Sequence, residues 1–342
     1  MRYSEGFETG NPYREAYLAS INKLISSKES DCRDSRKRLA YEIMADKAFG
    51  LEKLKATLGW PLTLKNNKGI PCVRQELVSQ EDGYCVYRMQ IEVFPDFWFY
   101  GNFFKHTDDN VRPFVISQHG GDGSPELCSG MLDSGTGNYN RMTERILSHG
   151  INVFAPQLLL WKEEIFNLPN NRKSIHAALE GIGGTITALE VFCIQRTIDY
   201  FEAQAYVDKN KIGMAGLSYG GMYTTYTAAI DSRIKTALCS SFFINTFDYP
   251  HYDWSYRNSS KLFSTAELAL LIKPRKIFFA MGDQDELFPI EQWKKEFEYL
   301  KEYDPAWQEW TNFEIFKGRH EFCPTNQTLN LFLTCLQENP KE

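Results

Sequence analysis

Residues 211–230 read KIGMAGLSYGGMYTTYTAAI, and this stretch decides how the chain folds. Lys211 to Ala215 is a short apolar run with strand character. Gly220 to Ile230, rich in small residues, reads as a helix. Between them, Gly216-Leu217-Ser218-Tyr219-Gly220 places glycines two residues before and two after a serine. A serine on a very sharp strand-to-helix turn holds its hydroxyl proud of the sheet, and glycines at these spacings relieve the crowding of that turn. The turn also aims the amide of Tyr219, at a helix N-terminus, toward a reacting oxygen. Alone the five-residue motif is weak; the strand before it and the helix after it are the setting it requires.

Working outward, strands and helices alternate. Pro113–Gln118, Ile151–Ala155, Arg233–Ser240, Arg275–Met281 and Thr311–Phe316 read as further strands. Asn140–His149, with Met142 and Ile146 four apart and Gly150 as a stop, reads as a helix. So do His176–Tyr206, which carries apolar residues at three-four spacing throughout, and Gln327–Leu336. The pattern predicts an α/β fold with a mostly parallel central sheet and helices on both faces. Ahead of it, Tyr84–Lys105 is dense in aromatic and β-branched residues and predicts antiparallel strands turning near Pro95-Asp96. The first sixty residues read as helices: Ile21, Leu24 and Ile25 share one face, as do Leu51, Leu54 and Leu58. Residues 1–62 are therefore expected as an N-terminal helical extension packed on the core, and residues 63–342 as the catalytic domain.

Three further groups complete a chemistry around Ser218. His119-Gly120-Gly121-Asp122-Gly123 follows the strand at 113–118, where a second oxyanion donor is expected; the amide of Gly121 is the candidate, with His119 as a loop brace. Asp285 lies beyond the strand that ends at Gly282, in the acidic loop where such sheets gather ligands and catalytic groups. Asp283 competes with it, and Asp285 has the better reach. Of six histidines, only His320 follows Asp285 in the chain. A serine hydroxyl is a poor nucleophile at neutral pH, so a neutral imidazole must take its proton, and a carboxylate behind the imidazole fixes its tautomer. The expected roles are Ser218 as nucleophile, His320 as general base, Asp285 as its orienter, and the amides of Tyr219 and Gly121 as the oxyanion hole.

Composition narrows the partners. The 342 residues are 43% hydrophobic and carry a net charge of −6, which disfavours nucleic acid. The basic run Arg33 to Arg38 reads as the solvated face of a helix. No apolar stretch is long enough to span a membrane, and MRYSEGFETGNPYREAY at the start has no apolar run, so the expected setting is the cytoplasm. The eight cysteines show no metal-ligand spacing and read as reduced packing residues. No metal and no cofactor are called for.

With these residues in hand, the chain resembles the α/β-hydrolase superfamily over roughly residues 84–340. Within it, QHGGDGSPE at 118–126, AGLSYGGM at 215–222 and AELALLIKPRKIFFAMGDQDELFPI at 266–290 resemble the dienelactone-hydrolase-related and acetyl xylan esterase-like branch, as does the pair His320-Glu321. The resemblance implies hydrolysis of short acyl esters, often acetyl groups on sugars, with a small-molecule ester as partner. Dienelactone hydrolases proper use cysteine as nucleophile, and Ser218 argues against that reaction. The N-terminal sixty residues match no motif of the branch. A thioesterase, a small serine peptidase of the same fold and a non-catalytic scaffold stay open as alternatives. Two loops, 157–174 and 245–262, are expected to shape the pocket, with Trp161, Tyr252 and Trp254 as its candidate walls; packing of the loops on one another explains these aromatics equally well. The aromatic strands at 84–105 offer a surface for a homo-oligomer.

Overall fold

The computed structural model describes residues 2–64 and 69–338. Among them nine strands form one sheet: β1 (Val73–Gln80), β2 (Tyr84–Phe94), β3 (Phe97–His106), β4 (Arg112–Gln118), β5 (Asn152–Pro156), β6 (Val207–Leu217), β7 (Ile234–Ser240), β8 (Lys276–Gly282) and β9 (Thr311–Phe316). Their order is β1-β2-β3-β5-β4-β6-β7-β8-β9. β1, β2, β3 and β5 pair antiparallel in sequence, and every pair from β5 through β9 is parallel. The parallel strands read as continuous apolar runs because both their faces are covered; in β5 all five residues are buried. The polar edge strand β1, with most residues exposed, gave no apolar alternation to read.

The chain leaves β4 for β5 on one side of it and later returns to β6 on the other. Such a reversal opens a crevice beyond the carboxyl ends of the strands, where the loops after β4 and β6 diverge.

The predicted long helix at 176–206 is two helices, Arg172–Gly181 and Ile186–Glu202. The apolar periodicity runs straight through the break and hides it. Gly183 adopts a φ of +83°, and Trp60 docks there, its N–H donating to the Gly183 carbonyl at 2.9 Å. Thr185 restarts the helix, accepting from the Ala188 amide at 2.9 Å while donating to the Leu58 carbonyl at 3.0 Å.

Of the N-terminal helices, Lys47–Leu58 buries Leu54 and Leu58, and Glu29–Ala45 buries Leu39, Ala40 and Ile43. The first helix, Asn11–Ser26, buries nothing; Leu24 and Ile25 are exposed, contrary to the expectation that the whole extension packs on the core. The reading of Arg33 to Arg38 as a solvated face also fails at its centre. Arg36 is buried, with Nε 2.9 Å from Glu267 Oε2 and an Nη2 contact of 2.5 Å to Glu296. Those carboxylates belong to the helices Thr265–Ile272 and Ile290–Tyr303, so one guanidinium joins three helices. Burial pushes the Glu296 carboxyl up to about 7, against the pull of Arg36.

Removing one partner of a buried ionic group leaves uncompensated charge and costs about 3–5 kcal/mol. Arg36→Ala is therefore expected to lose stability in that range by urea unfolding, whereas exposed Arg33→Ala changes it by less than about 0.5 kcal/mol. Equal, small losses in both variants would refute the anchoring role.

Candidate active site

Ser218 stands between β6 and the helix Tyr219–Ile230 with φ +58° and ψ −119°, a conformation that L-residues avoid. The flanking glycines are explained by direct collision. A Cβ on Gly216 would run into the Gly220 backbone, and one on Gly220 into the carbonyl of Gln118 at the end of β4. The turn is pinned by the Ser218 N–H, which donates to the Ser240 carbonyl of β7 at 2.8 Å.

His320 follows β9, and its Nδ1 lies 2.8 Å from Asp285 Oδ2. The other oxygen of Asp285 accepts from the amides of Leu287 and Phe288, each at 2.9 Å, and the side chain is shut off from solvent. With the carboxylate on Nδ1, the neutral imidazole carries its proton there and leaves Nε2 as a base. Asp283 does different work: it is exposed and accepts from the Gly318 amide at 3.0 Å, shaping the loop that carries His320. Glu321 braces that loop, accepting from Asn140 Nδ2 at 2.8 Å and from the Arg319 amide at 3.0 Å.

Ser218, His320, Tyr219 and Gly121 all line one cavity of about 890 Å³. The Tyr219 amide is the first of its helix and has no intrahelical carbonyl to bond. The neighbouring Gly120 amide is engaged by the Tyr139 hydroxyl at 3.2 Å, which leaves the Gly121 amide as the oxyanion candidate of that loop. His119 is fully buried, with Nδ1 2.7 Å from the Gly120 carbonyl and Nε2 accepting from the Leu158 amide at 3.0 Å. It braces the loop as a neutral ring, its pKa pushed down to about 4 by burial.

Tyr252 and Trp254 line the same cavity. Trp161 does not. It faces a second, apolar cavity of about 600 Å³ with Trp98 and Phe166, and its indole N–H donates to the Leu168 carbonyl at 2.7 Å. The segment 157–174 contributes to both cavities, and Leu160, one step from Trp161, lines the one that holds Ser218.

A buried polar cluster centred on Arg172, which itself lines the cavity, was not anticipated. Arg172 Nε donates to Asp253 Oδ1 at 2.9 Å, its Nη1 reaches both oxygens of Glu190 at 3.1 Å, and its Nη2 donates to the Tyr223 hydroxyl at 2.9 Å. Burial alone would lower the Arg172 pKa, yet Glu190 and Asp253 hold it well above its ordinary value. The available signal was Glu190, a lone carboxylate inside the apolar run ITALEVFCI, which demands a buried cationic partner.

The model of the dienelactone hydrolase family matches residues 132–328, more than half of the sequence. The chain belongs to the dienelactone hydrolase family. A Bacillus subtilis protein described as "Putative hydrolase YtaP" is 32% identical over 117 residues, which cover 32% of this chain and 39% of that relative's length. Among solved structures, a Bacteroides fragilis protein described as a putative acetyl xylan esterase superposes with a TM-score of 0.67 at 12% identity, covering 91% of this chain and 89% of its own. A glucuronoyl esterase from Solibacter usitatus superposes with a TM-score of 0.58 at 11% identity, covering 86% and 92%. At these identities the likeness shows the shared α/β-hydrolase fold.

Because His119 binds its proton only near pH 4 when folded but near 6.5 when unfolded, the unfolded state takes up the proton first as pH falls. Stability is thus lost from about pH 6.5 down to about pH 4, amounting to about 2 kcal/mol between pH 7 and pH 5. Urea unfolding at these two pH values should show this slope reduced by that amount in His119→Gln.

Proposed function

We propose that this member of the family hydrolyses short-chain carboxylic esters, acetyl esters foremost, through an acyl-enzyme on Ser218. The observation that carries the reading is the 2.8 Å Asp285–His320 pair opening on the same cavity as the strained Ser218. In this mechanism Ser218 Oγ attacks the acyl carbon while His320 Nε2 takes its proton. The carbonyl oxygen becomes an oxyanion received by the amides of Tyr219 and Gly121. Collapse expels the alcohol, which leaves with the proton from His320. Water then repeats the sequence on the acyl-enzyme, returning Ser218 and releasing the acid.

The preference for a short acyl group is supported by the crowding around the pair. Phe288 lies 5.5 Å from the His320 ring, and Trp254 packs edge-on against Phe242 at 5.4 Å. The cavity lining also carries Asn138, Asn170, Lys173 and Ser174, polar groups that suit a hydroxyl-rich alcohol such as a sugar. Among the described residues, no helix is long and apolar enough to cross a membrane. The reading includes a cytoplasmic setting, supported by eight free cysteines, five of them buried.

Hydrolysis of p-nitrophenyl acetate should vanish in Ser218→Ala and fall as the acyl chain lengthens. Asp285→Asn should lower kcat by about 10³–10⁴-fold with little change in KM, because the imidazole loses its tautomer control. Undiminished turnover in Ser218→Ala would falsify the assignment.

A further inference from the structure

Tyr219 does more than supply an amide. Its ring lies close against the second oxyanion candidate: a Cβ added to Gly121 would lie 3.1 Å and 3.3 Å from two ring carbons. One side chain therefore bears on both backbone N–H groups that would receive the oxyanion. Its hydroxyl donates to Asp253 Oδ2 at 2.7 Å, with His251 Nδ1 at 3.4 Å as a looser neighbour. Burial, then the Asp253 charge, holds the phenol protonated well above its ordinary range, so it stays a donor.

Asp253 cannot drift. It is fully buried, Arg172 holds its other oxygen at 2.9 Å, and Thr187 donates to its backbone carbonyl at 2.8 Å. Arg172 is locked in turn by Glu190, by the Tyr223 hydroxyl and by the Leu159 carbonyl at 3.3 Å. Tyr223 lies one turn beyond Tyr219 on the same helix, and without its hydroxyl Arg172 is still held by both oxygens of Glu190 and by the Leu159 carbonyl.

Resting on the esterase reading above, we infer that Asp253, fixed by Arg172, is a positioning residue that sets the oxyanion hole through the Tyr219 phenol. Asp253 is fully buried and is not part of the cavity lining, so it acts through Tyr219 rather than on the substrate. It fixes the distance between the Tyr219 and Gly121 amides, and an error of an ångström there is felt in the transition state far more than in substrate binding.

The test compares Tyr219→Phe, Asp253→Asn and Tyr223→Phe with the wild type in the full chain. The readouts are p-nitrophenyl acetate kinetics and affinity for a boronic acid, which forms a tetrahedral adduct on the nucleophilic serine. Tyr219→Phe keeps the ring and loses only the anchor. It should lower kcat and boronate affinity in parallel, by about 10- to 100-fold, with KM within about twofold. Asp253→Asn should follow the same pattern. Tyr223→Phe removes a hydroxyl from the same cluster but bears on neither amide; it should lower thermal stability and leave kcat within about threefold. Wild-type kcat and boronate affinity in Tyr219→Phe would overturn the inference. So would a loss in Tyr223→Phe as large as in Tyr219→Phe, since the cluster would then be holding up the fold rather than the oxyanion hole. A wild type that neither turns over the ester nor is labelled at Ser218 by a fluorophosphonate fails the esterase reading itself, and this inference with it.

Discussion

The structure turns on one strained residue. Ser218 holds φ +58° because its surroundings leave no other path from β6 into the helix behind it. Such a conformation costs about 1–3 kcal/mol and persists only where neighbours over-determine it. Here the determinants are the bond to the Ser240 carbonyl, the contact of Gly220 with the end of β4, and a helix whose residues Gly220–Ile230 are all buried. The central parallel strands β4, β6 and β7 must therefore be in register before the serine can be presented. The result is a hydroxyl raised above the carboxyl edge of the sheet, where the loops after β4, β8 and β9 can meet it.

Those loops are long enough to wander, and most of their polar contacts serve to stop them. The His320 loop leaves an outer strand, yet it is fastened to the centre of the molecule. Ser240 Oγ and Ser241 Oγ donate to the Glu321 carbonyl, and Asn140 takes both Glu321 and the Phe322 carbonyl. Arg145 then holds the carbonyls of Cys323 and Thr325 at 2.7 Å and 2.6 Å. The conspicuous Glu321 beside His320 is thus a clasp for the loop. Asp285 needs less help, because its own carboxylate caps the amides of Leu287 and Phe288 and so folds the turn that carries it.

What the sequence made legible follows from range. The turn at Ser218, the two strands meeting at Pro95-Asp96 and the parallel run from β4 to β9 are decided by neighbours within a few residues, and local pattern exposes them. The break at 182–185 is decided by Trp60, more than a hundred residues away, while the helix periodicity on either side continues undisturbed. Arg36 sits in a polar stretch that reads as surface and Arg172 in a loop read for its aromatics, and only their distant carboxylates make them interior residues. Of the expected pocket walls, Tyr252 and Trp254 face the serine while Trp161 faces the neighbouring cavity. A loop has no fixed period, so composition located the segment and could not give the direction of its side chains.

Arg36 and Arg172 perform the same task by the same means. Burying an ion pair is rarely the most stabilising choice, since well-packed apolar residues often do as well. The ionic solution wins where irregular backbone must be held inside the protein, because such backbone brings its own polar groups. At Arg172 the Leu159 carbonyl accepts from the guanidinium, while the Leu159 amide donates to Glu190 at 2.7 Å. At Arg36 the Ala266 amide donates to Glu296 and the Ser264 amide to Glu267. An apolar replacement would fill the volume and strand these groups. The first cluster ties the pocket loop to the helix behind Ser218, and the second ties an N-terminal helix to the rest of the fold. Charge is spent where two segments must keep a fixed distance without a strand or helix between them.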